Sequence, residues 1–260
     1  MKKLITGGLV IAAALLATDA QAEPTSAKPT VVLVHGAFAD SSSWNGVITI
    51  LERDGYTVVA APNPLRGVRV DADVVTSVVK SIDGPVVLVG HSYAGSVISE
   101  AAVGQSNVKK LVYVAAFAPD AGETALGLTG KFPGSTLGPA LAPPVQQISG
   151  GNDLYILQAR FPDQFAADLP MAQARLMAAG QRPISESALS EASTEAAWRN
   201  VPSWFIYGDK DKNIPPAVQS FMAARAKARQ TVVVKGASHV VMVSHAPEVA
   251  GLIERAASAR

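Results

Sequence analysis

The sequence of 260 residues contains no cysteine, which excludes a disulfide scaffold, a zinc–thiolate site and a thiol nucleophile together. Charge is scarce as well. Asp, Glu, Lys and Arg make up 17% of the chain, 22 basic residues stand against 21 acidic ones, and no Lys/Arg run breaks that balance. A net charge of +1 gives no electrostatic basis for holding a polyanion, so nucleic acid is not an expected partner. Neither a metal-ligating cluster nor a phosphate-binding glycine loop can be read along the chain, and no cofactor is expected. Long hydrophobic runs are missing too: the apolar stretch over residues 4–16 has about 13 residues, where a bilayer span needs ~20. Apolar residues nevertheless reach 48%, too many for a disordered chain. A chain of this length can fold as a single α/β domain that buries about 75% of its unfolded surface.

The short apolar stretch follows Met1, Lys2 and Lys3 and leads to Ala20, Gln21 and Ala22, a small-x-small site. That order predicts a secretory signal over residues 1–22, cleaved before Glu23, and hence a periplasmic or secreted protein. No second hydrophobic segment follows, so no membrane span is expected after the signal is removed.

Beyond a Pro/Ser/Thr-containing linker, Thr30, Val31, Val32, Leu33 and Val34 have the length and branching of a strand buried on both faces. Ser41 to Ser43 offer helix caps, and a helix through Trp44, Ile48 and Leu51 stops at Gly55 before a strand over 56–60. Val70, Val74, Val75, Val78, Val79 and Ile82 share one helical face, and this periodicity outweighs the poor helix propensity of valine. Strands over 86–89, 111–115, 203–207 and 231–234 follow, with helices to Val103 and over 217–228 and 247–257. Buried strands alternating with helices imply a mostly parallel sheet flanked by helices. Residues 119–200 differ: Gly/Pro-rich loops alternate with short helical patterns around 164–167 and 171–179. So long a structureless loop is implausible, and an inserted, mainly helical cap is expected between core segments 23–118 and 201–260.

Chemistry concentrates where the 86–89 strand runs into Gly90, His91, Ser92, Tyr93, Ala94 and Gly95. Ser92 falls at a sharp strand-to-helix turn between small residues, the context that lifts a serine Oγ above a sheet, although Ala94 stands where glycine is usual. A serine needs a base, and the base needs an orienting carboxylate. Of the four histidines, His91 adjoins the serine and should point away from it, and His35 precedes a loop glycine that it can brace. His239 follows the last strand on a loop able to reach Ser92, while His245 stands beside a helix start as a solvated or capping residue. After the 203–207 strand, Asp209 and Asp211 offer two carboxylates, and Asp209, directly after Gly208, suits a turn.

Taken together, residues 31–37, 86–95, 208–215 and 237–243 resemble the α/β-hydrolases, in particular the capped single-domain esterase group that includes plant methyl esterases and hydroxynitrile lyases. The resemblance implies the α/β-hydrolase fold and a serine esterase acting on small ester substrates. It implies a triad of Ser92, His239 and Asp211, with Asp209 left as the turn former and Asp120 as the fallback position for the acid. It also implies an oxyanion hole made by the backbone N–H groups of Ala37 and Tyr93. Phe38, beside that loop, walls the pocket or fills the core. Lyases of this group carry a lysine close to the histidine, whereas Val240, Val241 and Met242 follow His239 here. Perhydrolysis shares the triad, and a ligand-binding protein could keep the fold without turnover. Leu126, Phe132, Leu154, Ile156, Phe161 and Phe165 are among the cap residues that point to an apolar substrate, while oligomeric state has no signature.

Overall fold

The computed structural model describes residues 28–260, and the expected signal over residues 1–22 lies outside them. Strand β1 (Thr30–Val34) is followed by a 3₁₀ turn (Ser41–Trp44), helix α1 (Asn45–Arg53), β2 (Val58–Ala61), α2 (Val68–Lys80), β3 (Val86–His91), α3 (Ala94–Ala101) and β4 (Val108–Val114). An inserted segment then carries α4 (Ala125–Thr129), α5 (Leu137–Ala140), β5 (Val145–Gln146), β6 (Asn152–Leu154), α6 (Phe161–Phe165), α7 (Met171–Gly180), β7 (Ile184–Ser185) and α8 (Glu186–Ser190). The chain closes with β8 (Ser203–Gly208), α9 (Pro216–Arg225), β9 (Gln230–Val234), α10 (Val241–Ser244) and α11 (Ala246–Ser258).

Six strands form one sheet in the order β2-β1-β3-β4-β8-β9, and every neighbouring pair is parallel. The chain winds outward from β1 to β2, then crosses back to β3 on the other side of β1. Ligands of open parallel sheets lie beyond the carboxyl ends of the strands where the winding reverses. Here that point is the β1/β3 boundary, and the register pairs Val34 with Gly90, so the loops leaving both strands start level with each other. Val31 to Val34 and Val86 to Val89 are fully buried, as expected of strands covered on both faces.

Several sequence expectations need correction. The cap of the first helical turn is Asp40, whose side chain accepts the Ser42 N–H, because this carboxylate stands one residue ahead of the serines. β4 starts three residues earlier than expected, at Val108: Lys109 and Lys110 interrupt the apolar run there, and the pairing with β3 continues past them through a register shift that skips Lys109. The insertion is mainly helical but also holds a small antiparallel sheet in the order β5-β6-β7.

The insertion docks over the carboxyl ends of the sheet through polar contacts at its edges. Arg66, in the loop after β2, bonds Asp153 on β6 at 2.6 Å, and Ser185 N–H donates to the Leu65 carbonyl at 2.9 Å. Glu191 caps the start of α2 by accepting the Val68 N–H at 2.6 Å. On the opposite side, Gln164 of α6 donates to the Lys212 carbonyl and to Asn213 Oδ1, both at 3.0 Å. Among the described residues no helix is long and apolar enough to cross a membrane.

Candidate active site

β3 ends at His91 and α3 begins at Ala94, leaving Ser92 and Tyr93 to turn the chain. Ser92 has φ 55°, a left-handed conformation that costs a non-glycine residue about 1–3 kcal/mol unless its surroundings fix it. They do so here: its N–H donates to the Val114 carbonyl at 3.2 Å, and its carbonyl accepts from Gly95 at 3.0 Å and Phe117 at 3.1 Å. The turn is crowded by backbone. A Cβ on Gly90 would stand 2.7 Å from the Ala94 oxygen, and one on Gly95 would stand 2.0 Å from the Phe117 oxygen. Positions 90 and 95 are therefore the ones that admit no side chain, while the Ala94 methyl is buried in place of the usual glycine.

Three further loops converge on this turn. The loop after β1 comes so close that a Cβ on Gly36 would lie 2.7 Å from Ser92 Cβ. Behind it, the loops after β8 and β9 cross at Gly208, where a Cβ would lie 2.1 Å from the Ala237 oxygen. This crossing brings Asp211 and His239 together. His239 Nε2 is 2.9 Å from Ser92 Oγ, and His239 Nδ1 is 2.7 Å from Asp211 Oδ2. All three side chains are buried, Ser92 being 7% exposed.

Asp211 is held by more than the histidine. Its Oδ1 accepts the N–H groups of Asn213 (2.8 Å) and Ile214 (3.0 Å), and its Oδ2 also accepts from Gln219 Nε2 (2.9 Å). Because both carboxylate oxygens accept, Nδ1 of His239 carries the proton and Nε2 is left to accept from the serine hydroxyl. Gln219 carried no sequence signal; its partnership exists only because α9 packs under the β8 loop.

The partner of Ser92 Oγ is His239 and not the adjoining His91, whose Nε2 donates to the His239 carbonyl at 3.2 Å with the two rings 4.8 Å apart. Burial, followed by the neighbouring His239, holds His91 well below the ordinary histidine range, so it stays neutral. His35 is buried with Nδ1 3.0 Å from the Gly36 carbonyl oxygen, and burial lowers its affinity for a proton too. Tyr93 is pinned through its phenol, which donates to Asp71 at 2.9 Å. Burial raises the Asp71 carboxyl above its ordinary range and, with Asp71 alongside, raises the Tyr93 phenol.

Among the described residues neither the Ala37 nor the Tyr93 N–H donates to a protein acceptor, whereas the neighbouring Phe38 N–H is engaged by the Arg182 carbonyl at 3.0 Å. Ala37, Phe38, Tyr93, Ser92 and His239 all border one cavity of ≈ 120 Å³. Its remaining wall is largely apolar and includes Phe117, Leu137, Phe165 and Ile214. Phe38 is both wall and core: it is 3% exposed and meets the Phe165 ring edge-on at 6.2 Å. Phe165, on α6, lies 5.0 Å from the His239 ring and joins the cap to the site.

The other candidates stand apart. Asp209 Oδ1 accepts the Gly236 N–H at 2.7 Å, so it ties the exit of β8 to that of β9 and does not close on its own backbone. His245 is half-buried, 2.8 Å from Ser244 Oγ and 3.6 Å from Asp168. Asp120 pairs with Arg199.

The serine, imidazole and carboxylate stand in line beside two unengaged N–H groups, one of them at a helix start. Chemically this can activate a hydroxyl and stabilise an oxyanion. The sequence profile of the Alpha/beta hydrolase family matches residues 31–252. "Alpha/beta hydrolase nvfD" of Aspergillus novofumigatus is 27% identical over 252 residues, covering 88% of this chain and 97% of the relative. Among solved structures, polyneuridine aldehyde esterase superposes with a TM-score of 0.75 at 21% identity, covering 88% of this chain and 98% of the other. A pyrethroid hydrolase from Sphingobium faniae gives 0.69 at 22% identity, covering 89% and 98%. At such identities these two likenesses are of fold.

Proposed function

The chain belongs to the alpha/beta hydrolase family, and from that premise we propose that it hydrolyses carboxylic esters of small, mainly apolar substrates through an acyl-enzyme on Ser92. One observation carries the reading: the line Ser92 Oγ, His239 Nε2, His239 Nδ1, Asp211 Oδ2, with steps of 2.9 and 2.7 Å, opening onto an apolar cavity. The names of two structural neighbours, an esterase and a pyrethroid hydrolase, point the same way.

In this mechanism His239 takes the Ser92 proton as Oγ bonds to the ester carbonyl carbon. Asp211 holds the imidazole in the required tautomer and stabilises the imidazolium, and the Ala37 and Tyr93 N–H groups receive the oxyanion. His239 then protonates the departing alcohol, and a water activated by the same nitrogen cleaves the acyl-enzyme to release the acid. Either N–H donor is worth about 3–4 kcal/mol of barrier. We further propose that the protein works after export, with Glu23 as its first residue.

The test is turnover of a panel of simple esters by the wild type and by Ser92→Ala. The variant should lose at least about a thousandfold in kcat/KM while keeping the wild-type circular dichroism. A variant retaining more than about a tenth of activity would mean that another group attacks the carbonyl.

A further inference from the structure

We infer that the ester accepted here is asymmetric: a small group on one side of its carbonyl fills the cavity at Ser92, and a long, uncharged apolar arm on the other side lies in an adjoining groove. This rests on the hydrolase reading and adds the class of substrate to it.

The cavity at Ser92 measures ≈ 120 Å³, below the range of roughly 300–1,000 Å³ that small-molecule pockets occupy. Both substituents of an ester whose carbonyl carbon sits against Oγ cannot be large and remain inside it. Four residues of its wall, Leu126, Gly138, Leu141 and Leu189, also line a second concavity of ≈ 790 Å³. They form a partition with the reacting serine on one side and the groove on the other. At Gly138, which has no side chain, this wall leaves open space: a Cβ there would meet nothing within 4 Å. Leu126, on α4, is 61% exposed and borders the cavity at Ser92. A single exposed leucine is ordinary. One set in the shared wall of a cavity and a groove is the contact surface an apolar arm would cover as it leaves the first for the second.

The chemistry of the groove selects the arm. Beyond the partition, Pro143, Pro144 and Leu154 supply an apolar floor, and the lining contains neither lysine nor arginine. Its one charged lining residue is Glu186, which accepts from Asn152 Nδ2 at 2.8 Å. A carboxylate there repels an anionic arm and leaves a neutral one unaffected.

Two ester series on the purified protein test this: acetates of straight-chain alcohols and methyl esters of straight-chain acids, each from two to eight carbons in the varied arm. In one series kcat/KM should climb by at least about tenfold with arm length, since each methylene covered by the groove adds to binding. In the other it should stay flat or fall, because that arm meets the small cavity at Ser92. A carboxylate at the end of the favoured arm should cancel the gain. Filling the groove with Ser187→Trp should lower the ratio of long-arm to short-arm kcat/KM by about tenfold. Glu186→Lys, on the exposed side of α8, should reverse the preference between neutral and anionic arms, which keeps the test decisive if the tryptophan variant misfolds. Short esters turned over with no dependence on arm length in either series, and no change in the ratio in either variant, would overturn the asymmetric-substrate inference alone. Turnover of no ester in either series would contradict the hydrolase reading and this inference with it.

Discussion

Asp209 and Asp211 lie two residues apart on one loop, yet their carboxylates do different things. Asp211 faces His239 and Gln219 from a buried position, while Asp209 reaches across to Gly236. In Asp211→Asn the amide would present an N–H or turn its oxygen to Nδ1 without the charge, so the imidazolium loses its partner. The expected loss in kcat is about a thousandfold or more, measured on any ester the wild type turns over. Asp209→Asn keeps an oxygen for the Gly236 N–H and should retain most activity. Gln219→Leu, which strips one donor from Asp211 and one from the Ile214 carbonyl beside it, should lower kcat by about tenfold with a smaller effect on KM. The contrast between these residues also marks what could be read from sequence. Ser92, His239 and Asp211 stand in contexts that a short window reveals: a strand, a glycine, a loop of set length. Gln219 and His91 take part through proximity made by packing, between residues 8 and 148 positions apart, and no local pattern carries that.

The turn between β3 and α3 is the element on which the site depends, and its constraints come from neighbouring backbone. Gly95→Ala would drive a methyl to 2.0 Å from the Phe117 oxygen, and because that oxygen belongs to backbone it cannot swing aside. A loss of about 2–3 kcal/mol is expected, visible as a lowered Tm and a loss of ester turnover. Ala94→Gly, at the first position of α3, should cost no more than about 1 kcal/mol and leave turnover intact. The reverse pattern would mean that the turn is shaped by position 94. Regular elements of the core were legible because strands such as Thr30–Val34 and helices such as Val68–Lys80 carry sustained apolar periods. The cap sheet was not, because β5 and β7 are two residues long and β6 three, too short for an alternation of period 2 to register.

Across the whole molecule, the site places two neutral histidines inside the core, and stability should respond to pH accordingly. His35 and His91 both bind protons less readily in the folded chain than in the unfolded one, owing chiefly to burial. The unfolded state thus takes up more protons as pH falls below the ordinary histidine value of about 6.5, and the stabilisation present above that value is lost on acidification. Two such groups set a ceiling of about 2.7 kcal/mol per pH unit on this slope below 6.5, with His91, the more strongly lowered, contributing the larger part. Chemical denaturation at a series of pH values checks this, and His91→Asn should remove the larger part of the slope. The polar machinery gathers at the switch point, beyond the apolar runs 31–34 and 86–89 of the two central strands. Ser92, His239 and Asp211 are paired through loops that the glycines at 36, 90, 95 and 208 allow to touch.

The central claim is that Ser92 is an activated nucleophile, and covalent labelling measures that directly. Incubation with a fluorophosphonate, followed by intact-mass analysis and peptide mapping, should give one adduct per chain, on Ser92, with labelling slowed at least about a hundredfold in His239→Ala. An unlabelled wild-type chain, or an adduct on any other residue, would contradict the account.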